Sequence, residues 1–332
     1  MFDHIKVIRR VMTSFVLLAA TGAAAADKNW SVQGDELRVT TPCAKTVTIE
    51  PSSSLKGKVE VVAHADNQQE IDNLSIAGGS AATVTRANDY CWHPGPNMQI
   101  GNLSFGVSEG PTLELTVKVP QGVAIAVKEG ASADYHIGDV GGTLRLEIHG
   151  SGSVDAATAK ELNLLISGSG DARVDQVGGH IEGKISGSGD LRVTKAVVAS
   201  TNLTITGSGG TEIDEGDLGT TTIYLHGSGK FSGPAAGDVK MESTGSADFS
   251  LRSVKAASAS VHVSGNGDVA LGDGAIGSLV VSSTGSASVR VDAEVANADL
   301  SVRGSGDIRV RKVTGNVSRS EHGSGRISIG DK

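Results

Sequence analysis

GKISGSGDLRVTKAVVASTNLTITGSGGTEI, residues 183–213, decides the fold. It holds two Gly-Ser-Gly tripeptides, beginning at Gly187 and Gly207, 20 residues apart. Apolar and polar residues alternate on both sides of each tripeptide. Ile185, Leu191 and Val193 share one parity, and Lys184, Ser186 and Arg192 share the other. The same corner returns with first glycines at Gly150, Gly168, Gly187, Gly207, Gly227, Gly245, Gly265, Gly285, Gly304 and Gly323, always 18 to 20 residues apart. Three copies are variants: Gly245-Ser246-Ala247, Gly265-Asn266-Gly267 and Gly285-Ser286-Ala287. A short fixed period means a solenoid, in which one repeat is one coil and only stacking buries the core.

The flanks choose strand over helix. Two residues before the corner stand Ile148, Ile166, Ile185, Ile205, Leu225, Val263 and Val302, with Ser243 and Ser283 as polar exceptions. Four and six residues after it come pairs such as Phe249/Leu251, Val289/Val291 and Ile308/Val310. This is period-two alternation, as in strands with one buried face, and a period of 3.6 fits nowhere. Eight residues before the corner a small residue recurs, among them Gly142, Gly179, Ala199, Gly219, Ala257 and Gly315, which marks a second turn. The expected fold is all-β: a single-chain parallel β-helix of about 10–11 coils of 18–20 residues, stacked about 4.8 Å apart. Gly130-Ala131-Ser132-Ala133 is expected as a degenerate first coil. Arg319 and Glu321 stand at inward parity in the last coil and are expected to form a polar cap over an open edge.

The first 26 residues have the pattern of an export signal. Lys6, Arg9 and Arg10 precede the apolar run Val11–Ala20, and Ala24-Ala25-Ala26 supplies a small-residue cleavage site. The mature chain is expected to begin at Asp27 and to lack a transmembrane segment. Net charge is −8, and losing Lys6, Arg9, Arg10 and Asp3 with the leader takes it to −10. That argues against nucleic acid as a partner. Cys43 and Cys91 are the two cysteines, and an isolated pair in an exported protein is expected to form a disulfide. Closing that loop stabilises by about 4 kcal/mol in the chain-entropy account.

Six of seven prolines and both tryptophans lie in the first 120 residues. Residues 27–120 are therefore expected as an irregular β-rich capping region that carries the disulfide, and residues 121–332 as the repeat solenoid. Cys91-Trp92-His93-Pro94-Gly95-Pro96 is expected as a loop, because proline removes donors and restricts its neighbour.

The segment from Leu113 to Gly122 (LELTVKVPQG), then Gly141-Gly142, then repeated Gly-Ser-Gly-Asp-x-x-Val, resembles the putative auto-transporter adhesin, head GIN domain family. The resemblance covers roughly residues 30–330. It implies an exported bacterial β-helix of adhesin type and brings no catalytic residues. No translocator barrel is visible in the chain.

The residues themselves offer little chemistry. Asp171, Asp190, Asp248, Asp268 and Asp307 follow the corner. With at most one per coil they suit a turn residue bonding its own backbone better than a calcium site, which needs several oxygens per ion. Outward acids Asp175, Asp214 and Asp292 stand near Arg173, Arg192, Arg290 and Arg309. Glycoside hydrolysis needs two carboxylates at a set separation, and Asp175 and Asp214 are two coils apart. Histidines lack metal-ligand spacing, and no phosphate loop is present. Neither a cofactor nor a metal site is expected. Tyr224 and His226 share an outward face and form the candidate ligand patch. Arg303, Arg309, Arg311 and Lys312 make a basic rim that suits an anionic polysaccharide or blocks edge pairing. The expected function is a non-enzymatic adhesin-like or binding module of the cell envelope, in the periplasm or at the cell surface. Its ligand would be an envelope or host polysaccharide or a surface protein, and the chain is a candidate homo-oligomer. A periplasmic structural or envelope-maintenance protein and a polysaccharide-active β-helix enzyme are the alternatives.

Overall fold

Corner glycines lie one above another. Gly187, Gly207, Gly227, Gly245, Gly265, Gly285, Gly304 and Gly323 are each in register with the next along parallel strands. The computed structural model describes residues 25–87, 91, 93–100 and 103–330. The expected leader, save Ala25 and Ala26, lies outside the described residues.

Two facts make glycine obligatory in this column. Its φ is positive, from 109° at Gly245 to 147° at Gly265, a region that side chains disfavour. A Cβ on Gly265 would also collide with the carbonyl oxygen of Gly245. That oxygen is in use: the amide of Asn266 donates to it at 2.8 Å. The same bond joins Ser246 to Gly227 at 2.8 Å and Ser286 to Gly265 at 2.9 Å. Each coil thus rests on the last through bare backbone.

The chain forms a β-solenoid of about 11 turns. Long strands such as Asp248–Gly265, Val269–Gly285 and Val289–Gly304 pass through the second turn and pair in parallel along most of their length. The inward column from Ile148 to Val302 is buried throughout, including Ser243 and Ser283. Phe231 and Phe249 stack inside, ring centres 5.2 Å apart.

The first strands are β1 (Ala26–Gln33), β2 (Glu36–Thr40), β3 (Thr46–Ser52) and β4 (Lys58–Ala65). A short helix α1 (Gln68–Asp72), β5 (Leu74–Ala77) and β6 (Ala82–Arg86) follow. The hairpin of β7 (His93–Ile100) and β8 (Leu103–Glu109) leads to β9 (Glu114–Pro120), β10 (Ala124–Glu129) and β11 (Asp134–Asp139). β2 and β3 run parallel to β10 and β11 and continue their columns, with Val39 beside Val127 and Ile49 beside Ile137. β6 and β9 add another parallel layer. β5 and β4 then pair antiparallel to it, and β1 to β4. Reversing direction ends the stack, since the coil pattern requires parallel neighbours.

Buried Glu70 of α1 fixes the entry to β9: its carboxylate accepts the amides of Thr112 at 3.0 Å and Leu113 at 2.8 Å. Cys43 and Cys91 form a disulfide, tying the turn after β2 to the start of the hairpin. The expected loop at His93–Pro96 is instead the start of β7. Its register slips between Pro94 and Asn97, and a hairpin edge tolerates the missing donors as a central strand would not.

The degenerate first corner holds a buried carboxylate that sequence reasoning did not single out. Glu129 sits beside Ile148 in the inward column and is fully buried. It accepts the Tyr135 hydroxyl at 2.8 Å and the amide of Ala131. Burial raises its carboxyl above the ordinary glutamate value, while bonds from Tyr135 and the amides of Ala131, Ala133 and Gly130 pull it back. Burial, with the charge of Glu129, pushes the Tyr135 phenol well up.

Two outcomes follow from this geometry. Gly265→Ala should destabilise by about 3 kcal/mol or more, whereas Ala247→Gly, at the third corner position, should cost only about 1 kcal/mol; denaturant melts of both variants test the contrast. Glu129 favours the neutral acid more in the folded chain than in the unfolded one. Its stabilisation is therefore full below the ordinary glutamate value and is lost as pH rises through the raised one. Glu129→Gln should gain stability relative to the parent as pH climbs through that window, with Tyr135 turning to accept from the new amide. Thermal melts across acidic to neutral pH would show a constant difference if Glu129 does not titrate there.

Candidate functional site

Outward positions of the strand before each corner form continuous polar columns. One runs Ser186, Thr206, His226, Thr244, Ser264 and Thr284 in register. The next column in from the corner runs Tyr224, Glu242, His262 and Ser282. Parallel pairing sets like positions side by side, about 4.8 Å apart, so residues 18 to 20 apart in sequence become neighbours.

The candidate pair Tyr224 and His226 stands at one end of this patch. Tyr224 is half-buried and His226 exposed. Lys240 Nζ donates to the Tyr224 hydroxyl at 3.0 Å, lies 5.2 Å from the ring centre, and meets Glu242 at 3.0 Å. Those contacts raise the Lys240 ammonium above its ordinary value, the hydrogen bond to Tyr224 first among them. His226 Nδ1 pairs with Thr244 Oγ1 at 2.8 Å. Beyond them the columns open into a shallow groove of about 350 Å³ lined by Glu242, Thr244, His262, Ser264, Ser282 and Thr284. Glu242 and His262 were missed by sequence reasoning. They stand at the same corner offset as Tyr224, so the repeat itself carried the signal.

The opposite side of the corner holds a larger groove, about 450 Å³, over Arg173, Asp190, Arg192, Glu212 and Lys230. Its arginines are paired with acids. Arg192 meets Asp214 at 2.9 Å and Glu212 at 3.2 Å, and Arg173 meets Asp175 at 3.7 Å. Asp292 is held by Arg290 at 2.9 Å. Each acid singled out for hydrolysis therefore faces an arginine. Exposed pairs of this kind add little stability each, but they engage those acids.

Four of the five aspartates after the corner are staples between coils. Asp171 Oδ1 accepts the amide of Asp190 at 2.8 Å, Asp190 that of Gly210 at 2.6 Å, Asp248 that of Asp268 at 3.0 Å and Asp307 that of Arg326 at 3.0 Å. The expected bond to the residue's own turn is corrected: the coil above lies within reach of the carboxylate and presents an amide to it. Among the described residues, no three His, Cys, Asp or Glu side chains converge as metal ligands would. Within the basic rim, Arg311 meets Asp273 at 3.2 Å and Lys312 meets Glu294 at 3.2 Å. No helix among the described residues is long and apolar enough to cross a membrane.

No curated protein matches the chain. Solved structures similar to the chain at low identity include three from Parabacteroides. A putative adhesin from Parabacteroides distasonis is 15% identical, with 93% of this chain and 98% of that one covered and a TM-score of 0.36. A putative lipid binding protein from the same species is 14% identical, with 93% and 97% covered and a TM-score of 0.35. A putative adhesin from Parabacteroides merdae is 13% identical, with 93% and 97% covered and a TM-score of 0.33. Likenesses this faint show neither a ligand nor a site. The family model for the putative auto-transporter adhesin, head GIN domain, matches residues 29–234 and again 218–331. With nearly every coil inside those two matches, this chain belongs to the putative auto-transporter adhesin, head GIN domain family.

Proposed function

We propose that this chain is an exported, non-enzymatic binding module of the bacterial cell envelope, with residues 27–120 as its cap and 121–332 as its binding solenoid. The observation that carries the proposal is the patch from Tyr224 to Thr284. It offers a phenol ring, imidazoles, a carboxylate and hydroxyls in columns that repeat with the coils. A polymer laid along the solenoid axis meets polar groups at every coil, so many weak contacts sum. Polysaccharide suits this best, since its hydroxyls pair with Ser, Thr, His and Glu, and Tyr224 supplies an apolar edge. The acids on the other face are engaged by arginines, which favours binding over hydrolysis.

Protease shaving of intact cells that make the tagged protein tests the location, with a known periplasmic protein as control. Cleavage while the control survives supports an adhesive role outside the cell. Protection until the outer membrane is opened would sink the adhesin role and favour envelope maintenance. The patch is tested by retention on immobilised envelope polysaccharide. Tyr224→Ala combined with His262→Ala should weaken retention about tenfold or more without changing the melting curve; unchanged retention would remove this face from the proposal.

A further inference from the structure

The strand Val317–Gly323 carries a charge pattern that complements itself. It pairs in parallel with Val289–Gly304 on one side, and among the described residues no strand lies on the other. The inward column that is Leu300 and Val302 one coil earlier becomes Arg319 and Glu321 here. Both are exposed, and Ser320 stands between them. Glu321 is held over the end of the coil by the amide of Ile327, which donates to Oε1 at 2.7 Å. One cation and one anion sit symmetrically about a central residue, on the same face of an edge strand.

We propose that two copies of this chain pair end to end through this strand, antiparallel, about a two-fold axis at Ser320. In that register Arg319 of each copy lies opposite Glu321 of the other. Residues directly opposite in an antiparallel pair bring their Cβ atoms to about 4.5–5.5 Å, where opposite charges favour pairing and like charges oppose it. The two-fold forms both ion pairs at once, as a contact between identical patches must. Other arrangements lose this match. Parallel pairing in register sets Arg319 against Arg319 and Glu321 against Glu321, and moving the axis to Arg319 sets that arginine against its own copy. The charges thus select one partner, one direction and one register. The contact is a single short strand, so the dimer is weak and depends on concentration.

Sedimentation velocity of the full chain over a wide concentration range tests the proposal. The parent should move toward twice the monomer mass as concentration rises, and less so in high salt. Glu321→Arg and Arg319→Glu should each return it to monomer. The double swap, Arg319→Glu with Glu321→Arg, should restore the dimer because the pattern stays symmetric. A parent that stays monomeric throughout overturns the proposal. So does a dimer indifferent to either single reversal, or a double swap that stays monomeric while melting like the parent.

Discussion

Every repeat coil from Gly150 onward rests on the one before it through one carbonyl oxygen at the corner. The amide of the residue after each corner glycine donates to it, as from Ser208 to Gly187 at 2.9 Å and from Ser305 to Gly285 at 2.8 Å. The oxygen occupies the space a Cβ would need on the next glycine, so bond and side chain exclude each other. The first corner position therefore stays glycine while the second varies between serine and asparagine and the third admits alanine. Coil length is free only where this column is not disturbed. Register shifts fall between a corner and the second turn that follows it, as between Leu271 and Ala275, Val291 and Glu294, and Glu212 and Asp217. Residues gained or lost there leave the next glycine in register.

With the corner held, parity sorts the rest. Inward columns are filled by Ile, Leu and Val, and a narrow lumen accepts Ser243, Ser283 and the Phe231–Phe249 stack without a wider core. Outward columns carry no packing duty. Some of them brace the stack: the aspartate staples bind the coil above, and arginines bind acids on their own or the neighbouring coil. The columns through Tyr224 and His226 carry bonds of their own, from Lys240 to Tyr224 and between His226 and Thr244, and line a groove. A recognition surface is thus a by-product of the period.

The two ends solve the open-edge problem differently. At the first coils the strands reverse to antiparallel, and Glu70, Glu129 and the disulfide hold irregular backbone in place. At the last coils the aliphatic column gives way to Arg319 and Glu321 without a change of direction. The first end is closed by backbone; the second is only made polar.

The sequence by itself determined the repeat, the parity of each residue and the placing of the corners, because these depend on spacing alone and each coil repeats the same local rule. It also marked Arg319 and Glu321 as a departure, since they break a column. Other features were decided only by the tertiary structure. The burial of Glu129 could not be read, because a charged residue at a degenerate corner looks solvated until Tyr135 and three amides are seen around it. His93–Pro96 appeared as loop because proline content says nothing of the partner strand that hairpin pairing supplies. The aspartate bonds and the groove from Tyr224 to Thr284 join different coils. Their geometry depends on how one coil lies over the next, a distance set by the backbone bond at the corner and not by any residue within a single repeat.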